Sequence, residues 1–161
     1  MNEKSLITKS AEETKQLAME LAQQIPLSSI ITLTGDLGAG KTTFVQGLAA
    51  GFGIEKPVNS PTFLIIHRYE LKTKNETRKD EHISARFLYH IDLYRIDKQD
   101  DIVGLGLLDI LKEKESIVVI EWAEKMGKFL PEERIDVQFG YRDENKRKIT
   151  INFQNPSFKF Q

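Results

Sequence analysis

Gly35-Asp36-Leu37-Gly38-Ala39-Gly40-Lys41-Thr42 matches the pattern G-x-x-x-x-G-K-[ST] at every specified position. The glycines permit backbone angles and close approaches that a Cβ would block. Successive N–H groups then converge into a nest for anionic oxygens, and a following helix aims its positive end at the same place. Lys41 supplies a point charge for the β- and γ-phosphates of a nucleotide, and Thr42 a hydroxyl for Mg²⁺. The pattern fixes few positions, so its setting matters. Residues 30–34 are short and β-branched, as in a buried strand, and residues 41–52 predict a helix that Gly53 stops. A strand before the turn and a helix after it are what phosphate binding requires.

The flanking sequence predicts the rest of the fold. Ser10 and Glu13 form a capping box ahead of Leu17, Leu21 and Ile25, the apolar stripe of a helix that Pro26 ends. Residues 56–61 hold two prolines and read as a loop. Residues 62–71 and 86–94 read as strands, and the polar stretch 72–84 as a mobile hairpin connection between them. Residues 100–114 have a helical apolar pattern loosened by Gly104 and Gly106. Residues 117–120 are continuously apolar, which suits a central strand covered on both faces. Residues 135–141 and 148–153 alternate around Asp143-Glu144-Asn145, a closing antiparallel hairpin. Together these predict one α/β domain over residues 1–161, a P-loop NTPase with a mixed, mostly parallel sheet flanked by helices. Its ligand belongs beyond the carboxyl ends of the parallel strands.

Composition narrows the function. A hydrophobic fraction of 40% and a charged fraction of 29% are those of a soluble globular chain. Cysteine is absent, which excludes disulfides, zinc–thiolate sites and thiol catalysis. A net charge of −1 gives no whole-molecule basic field for nucleic acid or membranes. No apolar run approaches the roughly 20 residues that span a bilayer. The first eight residues carry charge and look like neither signal peptide nor anchor, so the expected location is cytoplasmic.

A phosphate-binding turn that serves hydrolysis needs a carboxylate for Mg²⁺ and a group that orients water. Glu121 closes the apolar run Ile117-Val118-Val119-Ile120, the form of a Walker B strand. Asp92, in Tyr89-His90-Ile91-Asp92-Leu93-Tyr94-Arg95, stands at another strand end, as a structural ion pair or a catalytic group. Ser60 and Thr62, around Pro61, form either a γ-phosphate sensor or a plain connection. Trp122, the only tryptophan, reads as core before it reads as a contact, though its place after Glu121 puts it near the nucleotide. His90 shares a strand face with Asp92 and reads as packed or hydrogen-bonded before it reads as a base. Arg68, Arg86 and Arg95 read as solvated or salt-bridged before they read as contacts for phosphate or acidic partners.

The P-loop with Thr43, Asn59-Ser60-Pro61-Thr62-Phe63, Tyr89 to Arg95 and Ile120-Glu121-Trp122 occur in an order and spacing that resemble the bacterial TsaE (YjeE) family. The resemblance runs from the first helix to Leu130-Pro131. It implies a small, Mg²⁺-dependent ATPase required for threonylcarbamoyl modification of adenosine 37 in tRNAs reading codons that begin with A. It also implies action with the TsaB and TsaD proteins, contact with tRNA only through that complex, and weak ATPase activity that rises on assembly. Hydrolysis then resets the complex between rounds. By the same resemblance Asp36, Leu37, Gly38, Ala39, Gly40, Lys41, Thr42 and Thr43 hold ATP, Thr42 and Glu121 hold Mg²⁺, and Asp92 activates the attacking water. Ser60 and Thr62 become a γ-phosphate switch, and Trp122 lies beside the nucleotide. Lys41, Asp92 and Glu121 are thus the expected catalytic residues. The stretch 72–84 departs from the pattern in being longer than expected.

Two other classes share a P-loop. A small-molecule kinase needs an arginine-bearing lid, and the 72–84 stretch carries only Arg78. A GTP-dependent switch needs an Asn-Lys-x-Asp segment, which Asn145-Lys146-Arg147-Lys148 lacks.

Overall fold

The computed structural model describes residues 2–59, 64–71 and 85–155. In chain order its elements are β1 (Asn2–Thr8), α1 (Ala11–Gln24), β2 (Ile30–Gly35), α2 (Lys41–Gly51), β3 (Ile66–Glu70) and β4 (Phe87–Asp92). There follow α3 (Gln99–Gly104), α4 (Leu107–Ile110), β5 (Ser116–Glu121), a 3₁₀ helix (Ala123–Phe129), β6 (Ile135–Tyr141) and β7 (Arg147–Phe153). All seven strands form one sheet in the order β1-β7-β6-β2-β5-β4-β3. The central β6, β2, β5 and β4 run parallel, and β7, β1 and β3 pair antiparallel outside them. This is the mixed α/β sheet that the sequence predicts.

Period-2 alternation divides the central strands between two cores. Leu33, Leu88, Ile117 and Val119 pack with α1 and α2 on one face. Tyr89, Ile91, Val118 and Ile120 pack with Ile102, Leu107 and Met126 on the other. Every residue of β5 is buried, as its continuous apolar run requires.

Helix α1 begins where the capping box places it. The Ser10 hydroxyl accepts from the Glu13 N–H at 3.1 Å, and the Glu13 carboxylate reaches back to the Lys9 N–H at 2.6 Å. Ala18 and Ala22, rather than the leucines alone, carry its contact with α2. A Cβ on Gly47 would meet the Lys15 carbonyl at 2.3 Å, and one on Gly51 the Ala22 side chain at 2.6 Å. Small residues facing small residues let two helices share one face of the sheet and bring the start of α2 under the glycine turn.

One expectation needs correction. The helix over 100–114 is instead α3 and α4, because Gly106 turns left-handed at φ 70° and interrupts the i→i−4 ladder. The first eight residues hold an edge strand, β1, whose burial alternates and which is completed by β7 through pairs such as Leu6 with Ile149. The 72–84 stretch and Ser60 and Thr62 lie outside the described residues. The strands flanking 72–84 do pair antiparallel, as a hairpin.

Candidate phosphate-binding site

The turn between β2 and α2 is built by its backbone. Gly35 takes φ 143°, and a Cβ there would sit 2.7 Å from the Phe139 carbonyl of neighbouring β6. Gly40, the N-cap of α2, takes φ 104° and offers no side chain to occupy the helix end. The Ala39 N–H closes the turn on the Asp36 carbonyl at 3.1 Å. Asp36, Gly38 and Gly40 thus lie in one arc above the start of α2, with Leu37 exposed at its crest and Thr43 in the first helical turn. An arc of main chain at the positive end of an 11-residue helix suits an anion.

Lys41 is only 5% exposed. Its Nζ donates to the Gly35 and Asp36 carbonyls at 2.6 and 2.8 Å and lies 4.2 Å from the centre of the Trp122 ring. Burial pushes its ammonium below the ordinary lysine value, against the opposing pull of Glu121, Glu124, Asp92 and Asp36. A desolvated ammonium gains much from an anionic partner.

Glu121 comes to this loop from 79 residues away. The Thr42 hydroxyl donates to its two carboxylate oxygens at 3.1 and 3.2 Å. His90 Nε2 lies 2.8 Å from Glu121 Oε1, with both side chains buried. The cause is topology: β4 and β5 run parallel with Asp92 opposite Glu121, so Asp92, His90 and Glu121 share the face that carries α2. Asp92 is fixed by a bond from the Tyr94 N–H to its Oδ1 at 2.9 Å.

Trp122 is the only non-glycine with positive φ among the described residues, at φ 58° and ψ 41°. A bulky side chain rarely adopts this conformation, and its cost is accepted where the surroundings demand it. Here it swings the indole between Lys41 and the Tyr94 ring, whose centre is 5.1 Å away. Lys125 had no sequence signal beyond being a lysine four residues past Glu121. Its Nζ donates to the Tyr94 and Ile96 carbonyls at 2.5 and 3.0 Å and so ties the 3₁₀ helix to the turn after Asp92.

The donors fit a magnesium–nucleotide pair. Mg²⁺ takes hard oxygen ligands, commonly one or two carboxylates with the rest supplied by phosphates and water. Thr42 and Glu121 offer one hydroxyl and one carboxylate beside the anion-binding arc. Among the described residues no group of three or more His, Asp or Glu forms a metal cage of protein ligands alone.

Strand, glycine turn, buried lysine and a carboxylate at the end of a central strand define a protein of the P-loop class. Comparison with known proteins gives the family: the model for "Threonylcarbamoyl adenosine biosynthesis protein TsaE" matches residues 8–149. The chain belongs to the TsaE family. It is 37% identical over 144 residues to the tRNA threonylcarbamoyladenosine biosynthesis protein TsaE of Bacillus subtilis, covering 89% of this chain and 82% of that one. The protein of the same name from Aquifex aeolicus is 38% identical over 152 residues, covering 92% and 95%. The crystal structure of Bacillus subtilis YdiB superposes with a TM-score of 0.75 at 30% identity, covering 98% of this chain and 89% of that one.

Proposed function

We propose that this protein binds ATP with Mg²⁺ and hydrolyses it in the service of tRNA threonylcarbamoyladenosine biosynthesis, acting with TsaB and TsaD proteins to reset their complex. The pathway follows from the family. The observation that carries the chemistry is the meeting of Thr42 with Glu121 at 3.1 Å beside a glycine arc and a desolvated lysine. Bound Mg²⁺ supplies charge neutralisation at the β- and γ-phosphoryl oxygens.

The chain's own residues do the rest. The main chain from Asp36 to Thr43 and Lys41 Nζ hold the phosphates, and the Gly35 and Asp36 carbonyls keep that ammonium at the loop. Thr42 and Glu121 hold the metal. Asp92, clamped by the Tyr94 N–H, orients the attacking water and accepts its proton. Trp122 covers one side of Lys41 and keeps water from it. Ser60 and Thr62 sense the γ-phosphate.

Three exposed apolar side chains suit a partner on this side of the molecule. Leu37 stands on the P-loop, Tyr94 in the turn after Asp92, and Leu64 next to Ile65, whose carbonyl accepts from the Asp92 N–H. A partner covering them would exclude water from the site, which fits slow turnover alone and faster turnover in the complex. Among the described residues no helix is long and apolar enough to cross a membrane, and a tRNA-modifying assembly belongs in the cytoplasm.

The test is calorimetry of ATP with Mg²⁺, followed by turnover with and without the matching TsaB–TsaD pair. Binding and a higher rate in the complex are expected. Absence of binding by folded protein overturns the nucleotide reading, and equal slow rates overturn the partner reading.

A further inference from the structure

We propose that His90 is a positioning residue for Glu121: its Nε2–H holds the carboxylate in the orientation in which Glu121 and Thr42 together bind a divalent cation. The inference rests on reading the site as one for a magnesium nucleotide.

Register explains why His90 arrives there. It lies opposite Val119 in the β4–β5 ladder, two residues before the Asp92–Glu121 pair and on the same face. Its imidazole therefore stands behind the carboxylate, on the side of the sheet's interior, while Thr42 approaches from α2. The side chain has no solvent exposure, and Glu121 has 3%. At 2.8 Å a carboxylate oxygen requires a donor, so the proton sits on Nε2.

A packing role alone does not account for this histidine. Its Nδ1 is buried with no partner among the described residues. An unsatisfied buried polar atom costs about 1–3 kcal/mol. Neighbouring Leu88 and Ile91 show that this strand takes aliphatic side chains, and one at position 90 would remove that cost. What an aliphatic side chain lacks is the donor to Oε1. With that donor in place Oε1 carries bonds from both His90 and Thr42, whereas Oε2 is met by Thr42 alone. The carboxylate is thereby locked in rotation. Groups that orient a metal ligand in this way typically raise metal affinity by about 10–100-fold.

The experiment is a Mg²⁺ titration of ATP binding, read by calorimetry, on wild type, His90→Leu, His90→Asn and His90→Gln. Gln places an amide N–H near the Nε2 position, whereas Asn falls short of it. His90→Leu and His90→Asn should raise the Mg²⁺ concentration for half-maximal binding by about 10–100-fold. His90→Gln should stay close to wild type, and ATP binding in EDTA should be the same in all four. Wild-type protein that binds no Mg-ATP would refute the nucleotide reading itself. Mg²⁺-dependent wild-type binding with the same dependence in Asn and Gln variants would refute the role of His90 alone. Long-range ¹H–¹⁵N NMR of the wild-type imidazoles needs no substitution at this position. An Nε2–H at His90 supports the proposal, and a neutral ring protonated on Nδ1 overturns it even if every variant misfolds.

Discussion

Two carboxylates flank the central strand β2 one residue apart in register, and the protein treats them oppositely. Asp136 of β6 lies across from Thr32, and Glu121 of β5 across from Leu33, so they fall on opposite faces of the sheet. Asp136 is closed off by donors: the Thr32 hydroxyl at 2.5 Å, Arg134 Nε at 2.7 Å and Gln154 Nε2 at 2.7 Å. Arg134 is itself anchored to the Pro131 carbonyl. Glu121 is more deeply buried, and among the described residues a hydroxyl and an imidazole hydrogen-bond to it, with no guanidinium or ammonium doing so. A carboxylate given its own cation serves the fold. One met by a hydroxyl and an imidazole beside a glycine arc is placed as the proposed metal ligand would need to be.

The contrast makes predictions, beginning with the largest effect. Lys41→Ala removes the desolvated charge of the loop and should lower turnover roughly 100–1000-fold with much weaker ATP binding, read by single-turnover hydrolysis and calorimetry. Wild-type-like values would show that the glycine arc suffices without its lysine.

Glu121→Gln and Asp136→Asn should then behave as mirror images. Glu121→Gln should lose turnover by roughly 100-fold while its thermal midpoint stays level or rises, because the desolvation cost of a buried carboxylate goes while an amide oxygen can still accept a hydrogen bond there. Asp136→Asn should keep turnover but lose about 1–3 kcal/mol of stability, read by urea unfolding. Equal loss of stability in both variants would erase the distinction between them.

Asp136 also predicts a pH dependence. Burial pushes its carboxyl up, but bonds from Thr32, Arg134 and Gln154 and the Arg134 charge outweigh that and hold it below the ordinary value. A folded value below the unfolded one gives stability that is complete above the unfolded value of about 3.9 and is lost as pH falls through the folded value. The gap between wild type and Asp136→Asn should therefore be full at neutral pH and shrink below about pH 4, measured by unfolding at each pH. A gap that persists in acid would mean that shape, not charge, holds this corner. The smallest effect should be Ser10→Ala, which removes the N-cap of α1 and costs about 1 kcal/mol in the same assay without touching turnover.

Much of this was legible in the chain because it rests on local rules. The glycine turn, the capped α1, the buried β5 and the hairpin of β6 and β7 each carry their own backbone requirement or period. The strand β1 was not legible, since Asn2–Thr8 gains its meaning only beside β7. The break at Gly106 was half legible: the glycine was visible, but whether it would turn left-handed depended on what α3 and α4 must cover. At the site, Glu121 and Asp92 were visible as acids at strand ends, whereas Lys125 was one lysine among many.

The sequence by itself determined where the glycine arc forms, because such a turn of main chain needs glycines at fixed spacing before the helix that Lys41 opens. It also determined the family, through motifs kept in order. Only the tertiary structure decided that, of the two flanking carboxylates, Asp136 meets a guanidinium and Glu121, among the described residues, a hydroxyl and an imidazole. That choice depends on strand order and register, which bring Thr42 and His90 to Glu121 and leave Arg134 with Asp136. Neither quantity is encoded at any single position.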